Sequence, residues 1–420
     1  MNARILDVYW NNDLTGQLAQ SAAGTLSFTY HADFLHRAAT GISLSLPLRE
    51  APFEGEEVRA FFSGLLPEES VRTRLAAYLG VSEKNTFALL REVGGECAGA
   101  LALYPEGEQP TAAPTDDMEV LDDARLSEIL ALIKRRPMLA GDDGYRLSLA
   151  GAQDKLAVGF VDGKIVLLKG GQPTTHILKP IIDRVADSAH NELFCMRLAK
   201  QVGLDVPVAD IHFVNDTPYY LVERYDRTTQ ADGTVTRIHQ EDFCQAMGVL
   251  PELKYEREGG PSIARCQNIL ALHAARPAAD QTRLLEMVIF NYLIGNADAH
   301  GKNFSLLYRG AKPELAPAYD LLSTAIYPDL ADKMAMKIGS KYKPDEVFLR
   351  HWHRLVPDTK TAQTSLNRQL KTMTTKTVAE ALSLKQALEA QDIRSPVFTD
   401  IYNIIEARGG RILAQLGTQS

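Results

Sequence analysis

Long apolar runs are absent from this chain. No stretch approaches the roughly 18–20 consecutive apolar residues that cross a bilayer, so neither a membrane span nor a membrane partner is expected. Cysteine is scarce. Cys97, Cys195, Cys244 and Cys266 are the only four and show no C-x-x-C spacing, which excludes a disulfide framework and a zinc ribbon and leaves them packing roles. A basic excess is also missing: 45 Lys and Arg against 53 Asp and Glu give a net charge of −8. Coating nucleic acid needs a concentrated positive surface, so that function is not expected of this chain alone; a local basic patch or a basic partner stays open. The opening MNARILDVYWNND has no apolar segment followed by a small-residue cleavage site. Secretion is therefore not expected, and a reducing cytoplasm is the expected compartment. Internal repeats and heptad arrays are absent too.

What is present is an ordinary globular composition, 45% hydrophobic and 23% charged, over 420 residues. That length exceeds one hydrophobic core, and two or three folding units are expected. Residues 3–31 alternate as strands do, with a turn at Asn11-Asn12-Asp13. From Glu57 to about Gly80 the apolar spacing is helical, broken in two by Pro67. The stretch 104–117, rich in Pro, Glu, Thr and Ala, reads as a linker. A helix is expected near 123–136, then a hairpin of 156–161 and 164–168 around Asp162-Gly163. A short strand 176–180, a helix 188–202 stopped by Gly203, and a second hairpin of 210–214 and 219–223 follow. Beyond about 236 the chain reads as mainly helical, and LLEMVIFNYLI (284–294) is apolar nearly all round, so it belongs in the middle of a helical core. The domains expected are 1–105, a linker 106–122, a β-rich 123–225 and a helical 226–420.

The strongest chemical signal is Asp298-Ala-His-Gly-Lys-Asn303, followed by Asp320 in APAYDLL. Two carboxylates and an amide within 23 residues suit a magnesium–phosphate site, because Mg²⁺ takes a few hard oxygen ligands and completes its shell with phosphates and water. Protein kinases space a catalytic Asp and a metal-binding Asn as D-x-x-x-x-N, with a second metal-binding Asp after a later strand. Asp298, Asn303 and Asp320 repeat that spacing and order, although HRD and DFG are missing. The alternative is a capped turn beside a surface Asp. Upstream, Lys179 on a short strand and Glu192 on the next helix have the order of the kinase lysine–glutamate pair. There is no G-x-G-x-x-G and no Walker sequence; instead Ala150, Gly151, Ala152, Gln153, Asp154 and Lys155 precede the first hairpin. Small residues there let backbone N–H groups approach phosphate oxygens, and Lys155 adds positive charge. A plain turn before a hairpin is the competing reading. Ser148 is not in a G-x-S-x-G elbow, which argues against a hydrolase nucleophile. His351-Trp352-His353 lacks a third ligand, and four lysines between Lys333 and Lys343 read as a solvated loop or a peptide groove.

Seven segments, SLAGAQDKLAV, HILKP, NELFCMRLAKQVGL, VERYDR, HQEDFCQAMG, NADAHGKNFSLLY and APAYDLLS, together resemble HipA-type serine/threonine kinases, the toxin components of bacterial HipBA toxin–antitoxin systems. Each is weak alone; in this order over about 180 residues they are specific, and the resemblance extends to an N-terminal subdomain. It implies an α+β, two-lobed kinase-like fold, a β-rich N-lobe and helical C-lobe preceded by a small α/β subdomain. It also implies Asp298 as catalytic base, and Asn303 and Asp320 as Mg²⁺ ligands. Lys179 and Ala150–Lys155 would hold the ATP phosphates; Glu223, Arg224 and Tyr225 would meet adenine. His300, Lys302, Asn303 and Tyr319 would line the nucleotide, and Ser148 would be the autophosphorylated serine whose modification expels the loop. The partners implied are a HipB-like helix-turn-helix antitoxin, operator DNA mainly through it, and an aminoacyl-tRNA synthetase as protein substrate. Two other classes compete: a nucleotide-binding corepressor without activity, and a metal-dependent phosphohydrolase built on Asp298, His300 and Asp320.

Overall fold

The computed structural model describes residues 4–110, 118–141, 146–169 and 171–418. The alternating N-terminal segment forms three strands, Arg4–Trp10, Asp13–Gln20 and Leu26–Tyr30, in an antiparallel sheet completed by Phe53–Glu54 and Leu101–Pro105. Asn11 takes a left-handed φ of +55° at the first turn, a conformation that Asn tolerates better than most residues. Pro67 separates two helices, Glu56–Ser63 and Glu69–Leu79. Their apolar faces bury Phe61, Phe62 and Leu75 with Phe28 of the sheet.

A six-stranded sheet follows, in the order 209–214, 217–223, 176–180, 156–161, 164–168 and 118–120. Asp162 and Gly163 both have positive φ, +50° and +76°, as a two-residue hairpin turn requires. Strand His176–Pro180 lies between its neighbours with Leu178 opposite Leu156 and Lys179 opposite Tyr220. The expected linker 106–122 does not stay a linker: Met118–Val120 pairs with Val166–Leu168, and Leu121 is buried. An edge strand is paired along one side only, and this one stays largely exposed, so a short, weakly apolar segment suffices. The Pro- and Thr-rich part of that linker, 111–117, lies outside the described residues. Strands also persist into the part read as mainly helical, at Val235–Arg237 and His239–Asp242 and again at Ser305–Tyr308, after the helices Ile263–His273 and Pro277–Ile294.

Compactness divides the chain differently from its sequence segments. One unit holds Met1–Ile182, His212–Glu252 and Leu306–Pro313; the other holds Asp183–Ile211, Leu253–Ser305 and Glu314–Ser420. Inside the first unit, a buried ionic network joins the N-terminal sheet region to the segment 224–227. Arg224 grips Asp226 through Nε and Nη2 at 3.0 and 2.8 Å, and Arg227 and Arg224 approach Glu96 Oε1 at 2.8 and 3.3 Å. All four side chains are at most 4% exposed. Thr174 and the Gly99 amide supply further donors to the two carboxylates. Nearby, Glu241 is also buried, bonded by the Ser43 and Tyr308 hydroxyls and by the Leu44 amide at 3.0 Å. Burial pushes its carboxyl up to about 7, against the three hydrogen bonds it accepts.

The second unit is helical. Pro277–Ile294 is its central helix, with Pro277 in the first turn, where no donor is lost. Residues 287–294 are buried throughout, as their all-round apolar character requires. Helices Ile263–His273, Lys360–Ala390 and Val397–Gly417 pack on it. Helix Ser188–Val202 packs on the last two and ends at Gly203 with φ +100°. Among the described residues no helix is long and apolar enough to cross a membrane.

Candidate functional site

The central helix delivers its C-terminus to the loop 295–303. Gly295 sits at φ +81°, and an added Cβ would lie 2.8 Å from the Ala325 Cβ, so both conformation and space require glycine. Asn296 then organises the loop. Its Oδ1 accepts the Asp298 N–H at 3.0 Å, while its Nδ2 donates to Asn291 Oδ1 at 2.8 Å and reaches the Asp320 carbonyl at 3.5 Å. Asp298 receives the Tyr255 hydroxyl on Oδ1 at 2.7 Å, and its Oδ2 lies 4.0 Å from His300 Nε2. The Asp298 side chain is 45% exposed, so a carboxylate oxygen is reachable by a substrate. Asn303 donates through Nδ2 to the Asp298 carbonyl at 3.0 Å, which fixes the amide and leaves its Oδ1 as the acceptor.

The segment carrying Asp320 is tied to this loop and to helix 188–202. Thr324 Oγ1 accepts the Ala297 N–H at 2.7 Å, and the Thr324 and Ala325 amides donate to the Gly295 carbonyl. From the helix, Asn191 brackets Ser323, donating to its carbonyl at 2.8 Å and accepting its amide at 2.7 Å. Tyr319 donates its hydroxyl to the Lys302 carbonyl at 2.6 Å, so the two segments are cross-linked at both ends. Asp320 itself has φ +55°, a left-handed conformation costing a non-glycine residue about 1–3 kcal/mol and characteristic of functional sites.

Asp298, His300, Lys302, Asn303, Tyr319 and Asp320 are thus gathered in one hydrogen-bonded assembly of the second unit, with Glu192 buried beside Asn191 on its helix. The donor set fits Mg²⁺: one carboxylate from Asp320 and one amide oxygen from Asn303 are hard ligands, few enough to leave positions for phosphate. Among the described residues no group of three or more His, Cys, Asp or Glu side chains is placed to hold a metal ion. His351 accepts the Phe348 amide and His353 pairs with Asn367, both packing roles. The lysine loop is solvated but anchored: Lys337 reaches Glu256 at 3.1 Å, and the Ala335 amide donates to the Ala297 carbonyl, next to Asp298.

The remaining candidates belong to the first unit. Lys179 is 5% exposed, with Nζ 5.6 Å from the centre of the Tyr220 ring. In the Ala150–Lys155 loop, Gly151 has φ +111°, and Lys155 Nζ donates to the Ala150 carbonyl at 2.8 Å. A Cβ on Gly151 would stand 2.5 Å from that ammonium, which a flexible side chain can move aside, so it is the left-handed φ that requires glycine. Gln153 donates to the Pro180 carbonyl, and Asp154 pairs with Arg74 at 2.5 Å. One expectation needs correction. The Arg224 guanidinium is not open to a nucleotide, since it is 1% exposed and spent on Asp226 and Glu96, and its amide donates to the Thr175 carbonyl at 2.9 Å. Ser148 is wholly buried, its hydroxyl donated to the Leu65 carbonyl at 2.7 Å.

Sequence reasoning missed Tyr255, Asn191, Asn291, Asn296 and Thr324. One signal was there: Asn291 is a lone amide inside an apolar helix, where an unsatisfied polar group is costly. Tyr255→Phe would remove the hydroxyl bond to the Asp298 carboxylate and leave the backbone bonds at Asp298 in place.

Comparison with known proteins gives a consistent result. The model of the HipA-like C-terminal domain matches residues 147–383, and that of the HipA N-terminal domain matches 6–104. Y4mE of Sinorhizobium fredii, whose name provisionally calls it a kinase, is 50% identical over 84% of this chain and 85% of its own. The serine/threonine-protein kinase toxin HipA of Shewanella oneidensis is 32% identical over 82% of this chain and 80% of its own. A chain in the solved complex of Shewanella oneidensis HipA, HipB and its operator DNA superposes with a TM-score of 0.79 at 28% identity, covering 98% of this chain and 96% of that one. The α+β kinase-like fold expected from the sequence is the fold observed.

Proposed function

The chain belongs to the HipA family, and from that premise we propose that it transfers the γ-phosphoryl group of ATP to a serine or threonine hydroxyl of a protein. The observation that carries this reading is the hydrogen-bonded assembly of Asp298, Asn303 and the Asp320 segment. Asp298, held by Tyr255 and half exposed, accepts the proton of the attacking hydroxyl. Asn303 and Asp320 would hold Mg²⁺, which would supply charge neutralisation at the phosphates. Lys179 and the backbone of Ala150–Lys155 take the ATP phosphates, and the backbone around Glu223–Tyr225 meets the adenine edge.

Ser148 serves as the self-inactivation site. Its seat is an acceptor, the Leu65 carbonyl, in a fully buried position. A phosphoserine has lost its donor hydrogen and carries about −1.5 to −2 charges. It therefore cannot re-enter that seat, and the loop bearing Ala150–Lys155 leaves with it. A HipB-like helix-turn-helix antitoxin neutralises the kinase and carries it to operator DNA. The relative solved with HipB and its operator DNA, together with this chain's net charge of −8, supports that partner. An aminoacyl-tRNA synthetase as protein substrate rests on the family resemblance alone.

Incubation of the full chain with ATP and Mg²⁺, followed by phosphopeptide mass spectrometry, tests the reading. Phosphate is expected on Ser148, with ATP affinity falling as it accumulates, whereas the affinity of Ser148→Ala should not change over the incubation. An inactive corepressor would incorporate no phosphate. Equal ATP affinity of modified and unmodified protein would remove the inactivation step.

A further inference from the structure

We propose that the segment Leu65–Arg74 is the seat that holds the Ser148–Lys155 loop in its nucleotide-binding shape, with Arg74 as a positioning residue. The proposal rests on the reading that this loop receives ATP phosphates. All of its atoms lie within the first compact unit.

Three contacts fasten the loop at three points along its length. At its start, the Ser148 hydroxyl donates to the Leu65 carbonyl at 2.7 Å. At its middle, the Glu68 amide donates to the Gly151 carbonyl at 3.0 Å, and Pro67 and Gly151 form a parallel bridge. At its end, Arg74 Nη2 meets Asp154 Oδ1 at 2.5 Å. These points are spaced so that Gly151 is held at φ +111° with the Lys155 ammonium folded over it. Backbone geometry at Gly151 and the place of Lys155 are the two features a phosphate group would read. The seat therefore acts on nucleotide binding through the loop, without touching nucleotide.

The seat also explains how the loop can leave. Glu69, next to the Glu68 contact, has φ +48°. Met138 and Leu139 have φ +55° and +54°, and Met138 Sδ accepts the Leu149 N–H at 3.3 Å. Bulky residues avoid this left-handed region unless their surroundings impose it. Strain thus stands on both sides of the contacts, and the loop is held in by a few directed bonds against it. The Gly151 bond joins backbone groups that no substitution removes, and the Ser148 bond is given up when its hydroxyl is modified. Arg74–Asp154 is the ion pair that sequence change can adjust.

Hydrogen–deuterium exchange of the full chain reads the seat without reference to catalysis. In Arg74→Gln, the Glu68 amide and the peptide covering 148–155 should exchange about threefold to fivefold faster, the size expected for a partly exposed ion pair. The peptide of helix 188–202 should be unchanged. The KM for ATP should rise by a similar factor while kcat at saturating ATP stays constant. Reversing the pair, Arg74→Asp with Asp154→Arg, should recover most of both losses relative to Asp154→Arg alone, which a merely structural role for Arg74 would not do. Unchanged exchange in the loop, or no recovery on reversal, overturns the seat. If exchange responds and recovers while ATP affinity is the same in every variant, the seat stands and the nucleotide reading of the loop falls.

Discussion

Asp298→Asn should slow phosphoryl transfer by at least about 10²-fold, the usual worth of a positioned general base. The substitution keeps shape and hydrogen bonding: the amide oxygen still accepts from Tyr255, and the backbone bonds from Asn303 and to Asn296 are untouched. What is lost is the ability to take the hydroxyl proton. Because that role belongs to the transition state, kcat should fall while ATP affinity holds. Single-turnover phosphorylation of Ser148, with nucleotide affinity measured in parallel, separates the two. A loss smaller than tenfold would exclude Asp298 as the base. A loss of affinity equal to the loss of rate would assign it instead to nucleotide binding.

Arg224→Met should cost about 3–5 kcal/mol of stability at pH 7, the range for breaking a buried ion pair from one side. The variant leaves Asp226 with Arg227 alone, inside a network at most 4% exposed. The pH dependence gives a sharper signature. Burial by itself raises the Asp226 pKa, but Arg224 and Arg227 overcome it and hold the carboxyl well below the usual carboxylate range. Glu96 is depressed in the same way by Arg237, Arg224 and Arg227 against its burial. A folded pKa below the unfolded one contributes stability that is complete above the unfolded value, about 4, and is lost as pH falls towards the folded one. The parent should therefore weaken on acidification below about pH 4. In Arg224→Met the opposition to burial is weakened to what Arg227 and Arg237 supply, the carboxylates protonate more readily, and the deficit should shrink from pH 7 towards pH 4. Urea unfolding of both proteins at several pH values measures the difference. A deficit independent of pH would mean that packing of the Arg224 stem, and not its charge, is what the network needs.

The same residues illustrate what a sequence can and cannot disclose. The hairpin at Asp162-Gly163, the strand His176–Pro180 and the helix Ser188–Val202 are readable because their signals are local. Turn residues with left-handed backbone, alternation of two and a terminal glycine act within a few positions. Asp298, Asn303 and Asp320 stand close in sequence, in the order in which kinases space a base and two metal ligands, and the structure ties their two segments together through Asn296 and Tyr319. Arg224 shows the limit. In VERYDR it reads as a residue at the end of a strand, but its guanidinium is claimed by Glu96, 128 positions away. Strand Met118–Val120 likewise exists because the strand Lys164–Leu168 had an open edge beside it.

By itself the sequence determined the order of elements, the buried central helix and the three oxygen-bearing side chains on which phosphoryl transfer is argued. Periodicity, turn chemistry and short spacings carry that information along the chain. Only the tertiary structure decided that Ser148 is hidden against Leu65, that Tyr255 holds Asp298, and that Arg224 is an internal counter-ion. Those outcomes turn on which distant donor meets which acceptor once water is excluded, and that pairing is a property of the packed molecule.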